Sequence, residues 1–479
     1  MPDAQRMHEP DSDSDPTSKP KANARWRRGR LIAEIGPLAS LAAPLVAGLV
    51  AATGVTLVDT AMLGPLGATP LAAVSLTTAV AIIFYAALYG FAGPVGLFAG
   101  RAFGSGELAR IGHIARHGAL LAAIGGACGA LLMAAVLLVL PHLGQPPEVV
   151  AVMGPYWLCL SALMLPFTLS MVVKNLLDAA GRPWLSVALT VIPALLNIVF
   201  NWLLIYGNWG FPALGLTGAG IASLSAQSIG CAFAWMVLRH LPLLSAWWGP
   251  RVYEREELGR QWDEGRPMSV QYFLEGAAVA VAGVLIGLFG AVALAGNQIA
   301  MSVGGTLYML PLGVAAAVSI RIAQVIGSDE WPRAAAIGQA GLAVVTTWMG
   351  AFALLFVIAG AWIGGLFVED PAVIAAAAGI FLVFGLVQLM DGVQSVSLGA
   401  LRGMLDNEYP MRVSLVAYWL IALPLSALFG FGFDFGAPGI WAGFGVGLSV
   451  ASVLLGWRFW RLSHRRTPPA GFDAAPPGT

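Results

Sequence analysis

All 25 Lys and Arg residues of this chain can be assigned to one side of a membrane. They lie between Arg6 and Arg30, then in every second connection between apolar runs, then from Arg458 onward. The alternate connections have none. Positive residues near helix ends stay cytoplasmic, so this asymmetry predicts an even number of crossings with both termini in the cytoplasm. Hydrophobic residues make up 58% of the chain and charged residues 10%. A soluble domain carries about 25% charged residues, so this composition is that of an integral membrane protein. The basic residues are spread over helix ends rather than gathered in one patch, which argues against nucleic-acid binding.

Apolar runs of about 20 residues, the length that spans a bilayer, start near residues 35, 71, 113, 148, 184, 215, 268, 294, 334, 371, 411 and 438. The expected fold is all-α, with twelve transmembrane helices in two six-helix bundles. Residues 1–30 read as a disordered cytoplasmic tail with no apolar signal-peptide core. Residues 31–245 form the first lobe, 246–265 a cytoplasmic linker, 266–463 the second lobe and 464–479 a second tail.

The lobes repeat. A shift of 223 residues lays Leu71–Ser105 on Leu294–Ser328 without a gap, matching Tyr85 to Tyr308, Gly90 to Gly313, Val95 to Val318 and Gly104 to Gly327. Both copies continue as Gly-Ser-x-Glu-x-x-Arg, through Arg110 and Arg333. Units with an even number of helices run in the same direction. A pseudo-twofold axis along the membrane normal, with a binding site between the halves, is therefore expected. Ser105 and Ser328 suit helix N-caps, with Glu107 and Glu330 in the first turns.

An ionisable group within an apolar run costs about 2.5–3.5 kcal/mol on insertion scales. Three stand out: Asp59 in the first helix, Glu275 in the seventh and Asp391 in the tenth, the last flanked by Gln388 and Gln394. No Lys, Arg or His is expected at depth to pair with them, so they should bind a cation or hold a proton. Asn197 and Asn201, four apart, share a face of the fifth helix. Pro44 interrupts the first helix and should kink it. Cys128, Cys159 and Cys231 lie in apolar runs and read as packing residues, not disulfide or metal partners. His113 and His117 have the i, i+4 spacing of a metal pair, but lie among Arg110 and Arg116 without a metalloenzyme motif. The Gly-rich strings lack a P-loop Lys, and no ATPase domain is evident. No cofactor or resident metal is expected, beyond Na+ at Glu275 and Asp391.

Several strings resemble the multidrug and toxic compound extrusion (MATE) family, in its NorM-like branch. They are Val58-Asp59-Thr60-Ala61-Met62-Leu63-Gly64, Arg266-Pro267 followed by Glu275, Ala295-Gly296-Asn297-Gln298-Ile299, and Asp391-Gly392-Val393-Gln394 continuing to Gly399-Ala400-Leu401-Arg402-Gly403. The resemblance extends over most of residues 31–463. It implies a secondary antiporter that expels cationic, amphipathic drugs in exchange for Na+ or H+. By position it makes Asp59 the acidic residue of the N-lobe and Glu275 and Asp391 the acidic pair of the C-lobe. Pro44, Asn197, Asn201, Gln298 and Gln394 become supporting polar or hinge residues. Some branches have Asp where this chain has Asn201, which shifts the expected cation site towards the C-lobe. Phe167 falls opposite Asp391 in the repeat, so the lobes are chemically unequal. A monomeric, multi-pass inner-membrane protein in contact with lipid is expected.

Two other readings compete. A flippase for lipid-linked substrates would favour several cavity-lining Arg or Lys residues to hold phosphate. An intramembrane enzyme would need a nucleophile–base pair or metal cluster at membrane depth. Neither pattern stands out in the helix interiors. The charge asymmetry makes a direct prediction: cysteines introduced at Ser105 and Ser328 should label only from the cytoplasm, and one at Asn208 only from outside. Labelling of Ser328 from outside in intact cells would overturn the topology.

Overall fold

The structure, a computed structural model, describes residues 19–143, 147–240 and 253–465. It contains twelve helices long and apolar enough to cross a membrane. In lipid each backbone polar group must be satisfied within the protein, and a helix does so segment by segment. The first lobe comprises α1 (Lys19–Leu63), α2 (Ala68–Gly104), α3 (Leu108–Val139), α4 (Pro147–Ala179), α5 (Pro183–Tyr206) and α6 (Gly215–Arg239). The second comprises α7 (Arg255–Gly287), α8 (Ala291–Gly327), α9 (Pro332–Gly365), α10 (Pro371–Gly403), α11 (Glu408–Gly432) and α12 (Gly436–Ser463). Pro147, Pro183, Pro332 and Pro371 each open a helix, where a missing N–H costs nothing. Asp370 caps α10 by accepting from Ala372 N at 2.9 Å.

Helix boundaries differ from expectation in places. α1 begins at Lys19, inside the tail expected to be disordered through residue 30, and α7 begins at Arg255, inside the expected linker 246–265. Residues 466–479 of the second tail lie outside the described residues. Ser105 and Ser328 are not N-caps. They close α2 and α8, with their N–H groups bonded to Arg101 O at 2.9 Å and Gln324 O at 3.0 Å. The chain then turns through left-handed residues, Gly106 (φ 77°) and Asp329 (φ 59°), before the next helix starts at Leu108 or Pro332. The repeated Glu and Arg still serve both lobes alike, as the ion pairs Glu107–Arg110 and Glu330–Arg333.

The repeat is visible in these boundaries. The shift of 223 carries Ala68–Gly104 onto Ala291–Gly327, both 37 residues long. A shift of 224 carries Pro147–Ala179 onto Pro371–Gly403, both 33 residues long. The first helix of each lobe leans on the other lobe: α7 lies along α2, and α1 along α8 and α9. Glycines permit these approaches. A Cβ on Gly90 would press on the Met268 backbone and Tyr272 of α7, and its counterpart Gly313 is covered by Val46 of α1. At the end of the bundle that holds both termini, α2 and α8 cross on a reciprocal pair. Gly104 sits on the Gln324 carbonyl and Gly327 on the Arg101 carbonyl.

Polar bonds secure the same end. Glu34 of α1, 6% exposed, accepts from Arg321 Nη2 at 3.1 Å and Arg333 Nε at 2.8 Å. Gln324 Nε2 donates to Ala179 O at 2.9 Å, and Arg101 Nη2 to Met404 O at 3.1 Å. The lobes thus meet on the termini side. Gly104→Leu should prevent that closure, because backbone rather than a flexible side chain occupies the space. In an otherwise cysteine-free protein, a cysteine at the cavity-lining Ser319 should be shielded from a membrane-impermeant thiol reagent on the termini side. It should become reactive from that side in Gly104→Leu.

Candidate functional site

Two connected cavities lie where these helices converge. One, of about 280 Å³, sits between the lobes and is lined by residues of α1, α2, α4, α5, α7, α8 and α10. The other, of about 260 Å³, lies within the first lobe and contains Asp59 and Asn197. They share Ala52, Phe167, Met171, Lys174 and Thr190. Pro44 is buried on the wall of the inter-lobe cavity, about four turns along α1 from Asp59.

In the first lobe, α5 brings both asparagines to the carboxylate of α1. Asn201 Nδ2 donates to Asp59 Oδ1 at 2.8 Å. The Asn197 amide, turned with its nitrogen towards the carboxylate, donates to Asp59 Oδ1 at 2.6 Å while its oxygen accepts from Ser223 Oγ at 2.9 Å. The i, i+4 spacing read from the sequence therefore produces a two-amide clamp, and Asn201 takes part in it although it is not acidic.

The second lobe carries a larger network. Glu275 Oε1 accepts from Gln271 Nε2 at 3.0 Å, Gln394 Nε2 at 3.2 Å and Ser414 Oγ at 3.0 Å. Gln394 also donates to the Tyr418 hydroxyl at 2.7 Å. Asp391 lies one helical turn from Gln394 on α10 and accepts from the Tyr308 hydroxyl at 3.3 Å, which also pairs with Ser395 Oγ. Tyr418 lies in a π-helical stretch of α11, Leu415–Ala422, that directly follows Ser414. Such wide turns frequently mark functional positions because they re-aim side chains. Glu275, Asp391 and Gln394 thus belong to one polar cluster.

Gln298 does not join it. Its side chain is exposed, whereas the adjacent Asn297 is buried and accepts from Trp441 Nε1 at 2.8 Å. One residue along a helix rotates the side chain by about 100°, which separates their environments. Two basic side chains nevertheless reach the cavities from helix ends, though neither forms an ion pair with Asp59, Glu275 or Asp391 among the described residues. Lys174 lines both cavities and donates to Asp178 Oδ2 at 2.7 Å. Arg402 lines the inter-lobe cavity. Both lie near the C-terminal ends of their helices in sequence, and the convergence of those ends turns them towards the cavity. Tyr308 was legible as the repeat partner of Tyr85. In the first lobe the Tyr85 ring meets Phe167 edge-on at 5.0 Å, where the second lobe has Tyr308 bonded to Asp391. Ser395, Ser414, Tyr418 and Gln271 had no distinguishing signal in the sequence.

Two pseudo-symmetric six-helix lobes, a cavity between them and carboxylates held by polar side chains in each lobe define a two-lobed membrane transporter. The chain belongs to the MatE family, whose model matches residues 44–203 and 267–428. It is 31% identical over 439 residues to a "Probable multidrug resistance protein NorM" of Rhizobium meliloti, covering 89% of this chain and 93% of the relative. A relative of the same name from Synechococcus is 30% identical over 452 residues, covering 91% and 96%. Among solved structures, the eukaryotic MATE transporter AtDTX14 matches with a TM-score of 0.81 at 20% identity, covering 90% of this chain and 96% of that one. The Vibrio cholerae MATE transporter VcmN in its bent form matches with a TM-score of 0.81 at 19% identity, covering 90% and 98%.

The N-lobe clamp has a measurable consequence. Asn201→Leu removes a donor from a carboxylate that has few alternatives, a change worth about 1–3 kcal/mol for a buried polar group. The thermal-unfolding midpoint of the detergent-solubilised variant should fall below that of the unmodified protein. An unchanged midpoint would mean that Asn201 is dispensable to the site.

Proposed function

We propose that this transporter is a secondary multidrug antiporter of the inner membrane, exporting amphipathic cationic compounds in exchange for inward Na+ or H+. The observation that carries the reading is the environment of Glu275. Three neutral side chains donate to it, and it makes no salt bridge among the described residues. A carboxylate held in a membrane lobe by neutral donors retains charge to offer a passing cation, whereas one locked to Arg or Lys does not. Asp391 adds a second carboxyl group to the cluster, oriented by Tyr308, while Gln394, itself bonded to Tyr418, orients Glu275. The names of the NorM relatives support multidrug export. The Lys and Arg distribution supports cytoplasmic termini, and a monomer is sufficient because the cavity is built by one chain.

Asp59 supplies the corresponding group of the N-lobe. In this scheme a change in its charge alters how α1 packs in the clamp of Asn197 and Asn201. That change alters the bend at Pro44 and reshapes the cavities that α1 lines. The flippase reading gains one observation, the basic side chains in the cavity, but Lys174 is neutralised by Asp178. The remaining Arg402 is a meagre grip for a diphosphate headgroup.

The test uses proteoliposomes with Na+ and pH gradients imposed separately. The unmodified protein should concentrate a fluorescent cationic dye against its gradient under at least one of them. Glu275→Gln and Asp391→Asn should each abolish uphill movement while remaining folded, since a neutral amide cannot exchange the coupling cation. One charge crossing 100 mV is worth about 2.3 kcal/mol, so losing that step removes the driving force. Uphill export at unmodified rates in both variants would refute the coupling assignment.

A further inference from the structure

Glu275 and the contact between the lobes are joined through one guanidinium. Gln271 and Tyr272 are consecutive on α7, so their side chains leave the helix about 100° apart. Gln271 is buried, and its Nε2 donates to Glu275 Oε1 at 3.0 Å. Tyr272 faces the first lobe. A Cβ on Gly90 of α2 would lie 2.6 Å from Tyr272 Cδ2, and the Tyr89 ring meets the Tyr272 ring edge-on at 5.6 Å. From Gly90, α2 runs on to Gly104, whose crossing with α8 closes the termini side. Arg402 of α10 holds both residues of α7. Its Nη2 donates to Gln271 Oε1 at 3.2 Å and its Nη1 to the Tyr272 hydroxyl at 2.6 Å, and its guanidinium carbon lies 4.4 Å from the Tyr272 ring centre.

Gln271 is thus an amide dipole between a carboxylate and a guanidinium. The carboxylate needs a donor and the guanidinium an acceptor, so only one of the two orientations of the amide serves both. Arg402 makes no ion pair among the described residues, and its Nε is buried and unpartnered. Its hold therefore rests on Gln271 and Tyr272. The amide spacer keeps the guanidinium off Glu275, which leaves the carboxylate able to take a cation. Neutralising Glu275, by a proton or by bound Na+, removes the demand that fixes the amide. Gln271 Oε1 is then no longer held towards Arg402, and the guanidinium loses one of its two anchors beside Tyr272. The shift of 224 that superposes α4 on α10 puts Asp178 at the position of Arg402, so the first lobe has no copy of this guanidinium.

We propose that Arg402 is a positioning residue of the transport cycle, tying the charge state of Glu275 to the closure of the lobes on the termini side through Gln271 and Tyr272. The inference rests on the reading of Glu275 as an ion-coupling group and adds the element that passes its state to the lobe contact. With Glu275 charged, Tyr272 is held against α2 and that side stays shut. With Glu275 loaded, the tie slackens and that side opens more readily.

The test follows Ser319→Cys in an otherwise cysteine-free protein, in sealed membrane vesicles whose outer face is the termini side. A membrane-impermeant thiol reagent is added with Na+ replacing choline and, separately, with acid replacing alkaline buffer. Each rate ratio is taken relative to that of Glu275→Gln in the same buffers, which cancels the pH dependence of the reagent. One of the two ions should speed labelling about fivefold or more, the low end of a coupling between sites. Arg402→Gln and Tyr272→Phe should bring the rates with and without ion together. Arg402→Lys, which keeps the charge but not the fork, should leave a reduced response. A residue that only stabilises the fold would lower the unfolding midpoint and leave the response unchanged. Ion binding is read separately as the ion's effect on the unfolding midpoint of the purified protein. That effect should persist in Arg402→Gln and Tyr272→Phe. A labelling response undiminished in either variant overturns the proposal and leaves the coupling role of Glu275 standing. Loss of the ion's effect on the midpoint together with the response makes Arg402 part of the ion site itself, and also overturns the link. If neither ion alters labelling relative to Glu275→Gln, the coupling reading and this inference fall together. Should Arg402→Gln not fold, Tyr272→Phe decides, because it keeps the ring packing and removes only the hydroxyl.

Discussion

A polar group left unsatisfied in hydrocarbon costs several kcal/mol, and that constraint governs this molecule at every scale. At the backbone it enforces twelve helices. At the side chains it accounts for the company kept by each acidic group at depth. Asp59 is held by two amides, Glu275 by two amides and a hydroxyl, and Asp391 by a tyrosine. Where basic groups face the cavity, Lys174 is paired with Asp178 and Arg402 is spread over Tyr272 and Gln271.

The pseudo-twofold repeat supplies a common scaffold on which the lobes have diverged. Backbone features are kept in duplicate: equal lengths of α2 and α8, equal lengths of α4 and α10, and the reciprocal contacts of Gly104 and Gly327. Chemistry is not kept. Tyr85 packs on Phe167 where Tyr308 bonds Asp391, and Asp178 stands where Arg402 stands. Close backbone approach tolerates only glycine, so interface positions are constrained in both lobes. Cavity positions carry no such steric demand and are free to acquire different charges. Two lobes with one geometry and unequal chemistry suit a carrier that must handle an ion and a drug in the same cycle.

Much of the fold was legible along the chain. Apolar runs of bilayer length mark the helices, and the shift of 223 appears in the sequence as it does in the helix boundaries. Asp59, Glu275 and Asp391 announced themselves because an acidic residue in an apolar run is conspicuous. Ser105 and Ser328 misled because a serine two residues before a glutamate suits either end of a short turn. Which end it caps depends on where the chain enters left-handed conformation, at Gly106 and Asp329.

By itself the sequence determined the number of crossings, the two-lobe plan and the acidic residues at depth, because each follows from the composition of contiguous segments against a lipid background. Only the tertiary structure decided which polar groups meet. Tyr308, Ser414 and Tyr418 reach their partners from 83, 139 and 24 residues away. Asn297 turns inward while Gln298 stays exposed through a difference of one residue in helical phase. Lys174 and Arg402 read as ordinary basic residues near helix ends until those ends converge. Proximity across helices is a property of packing angles and glycine contacts between lobes, and no local pattern encodes it.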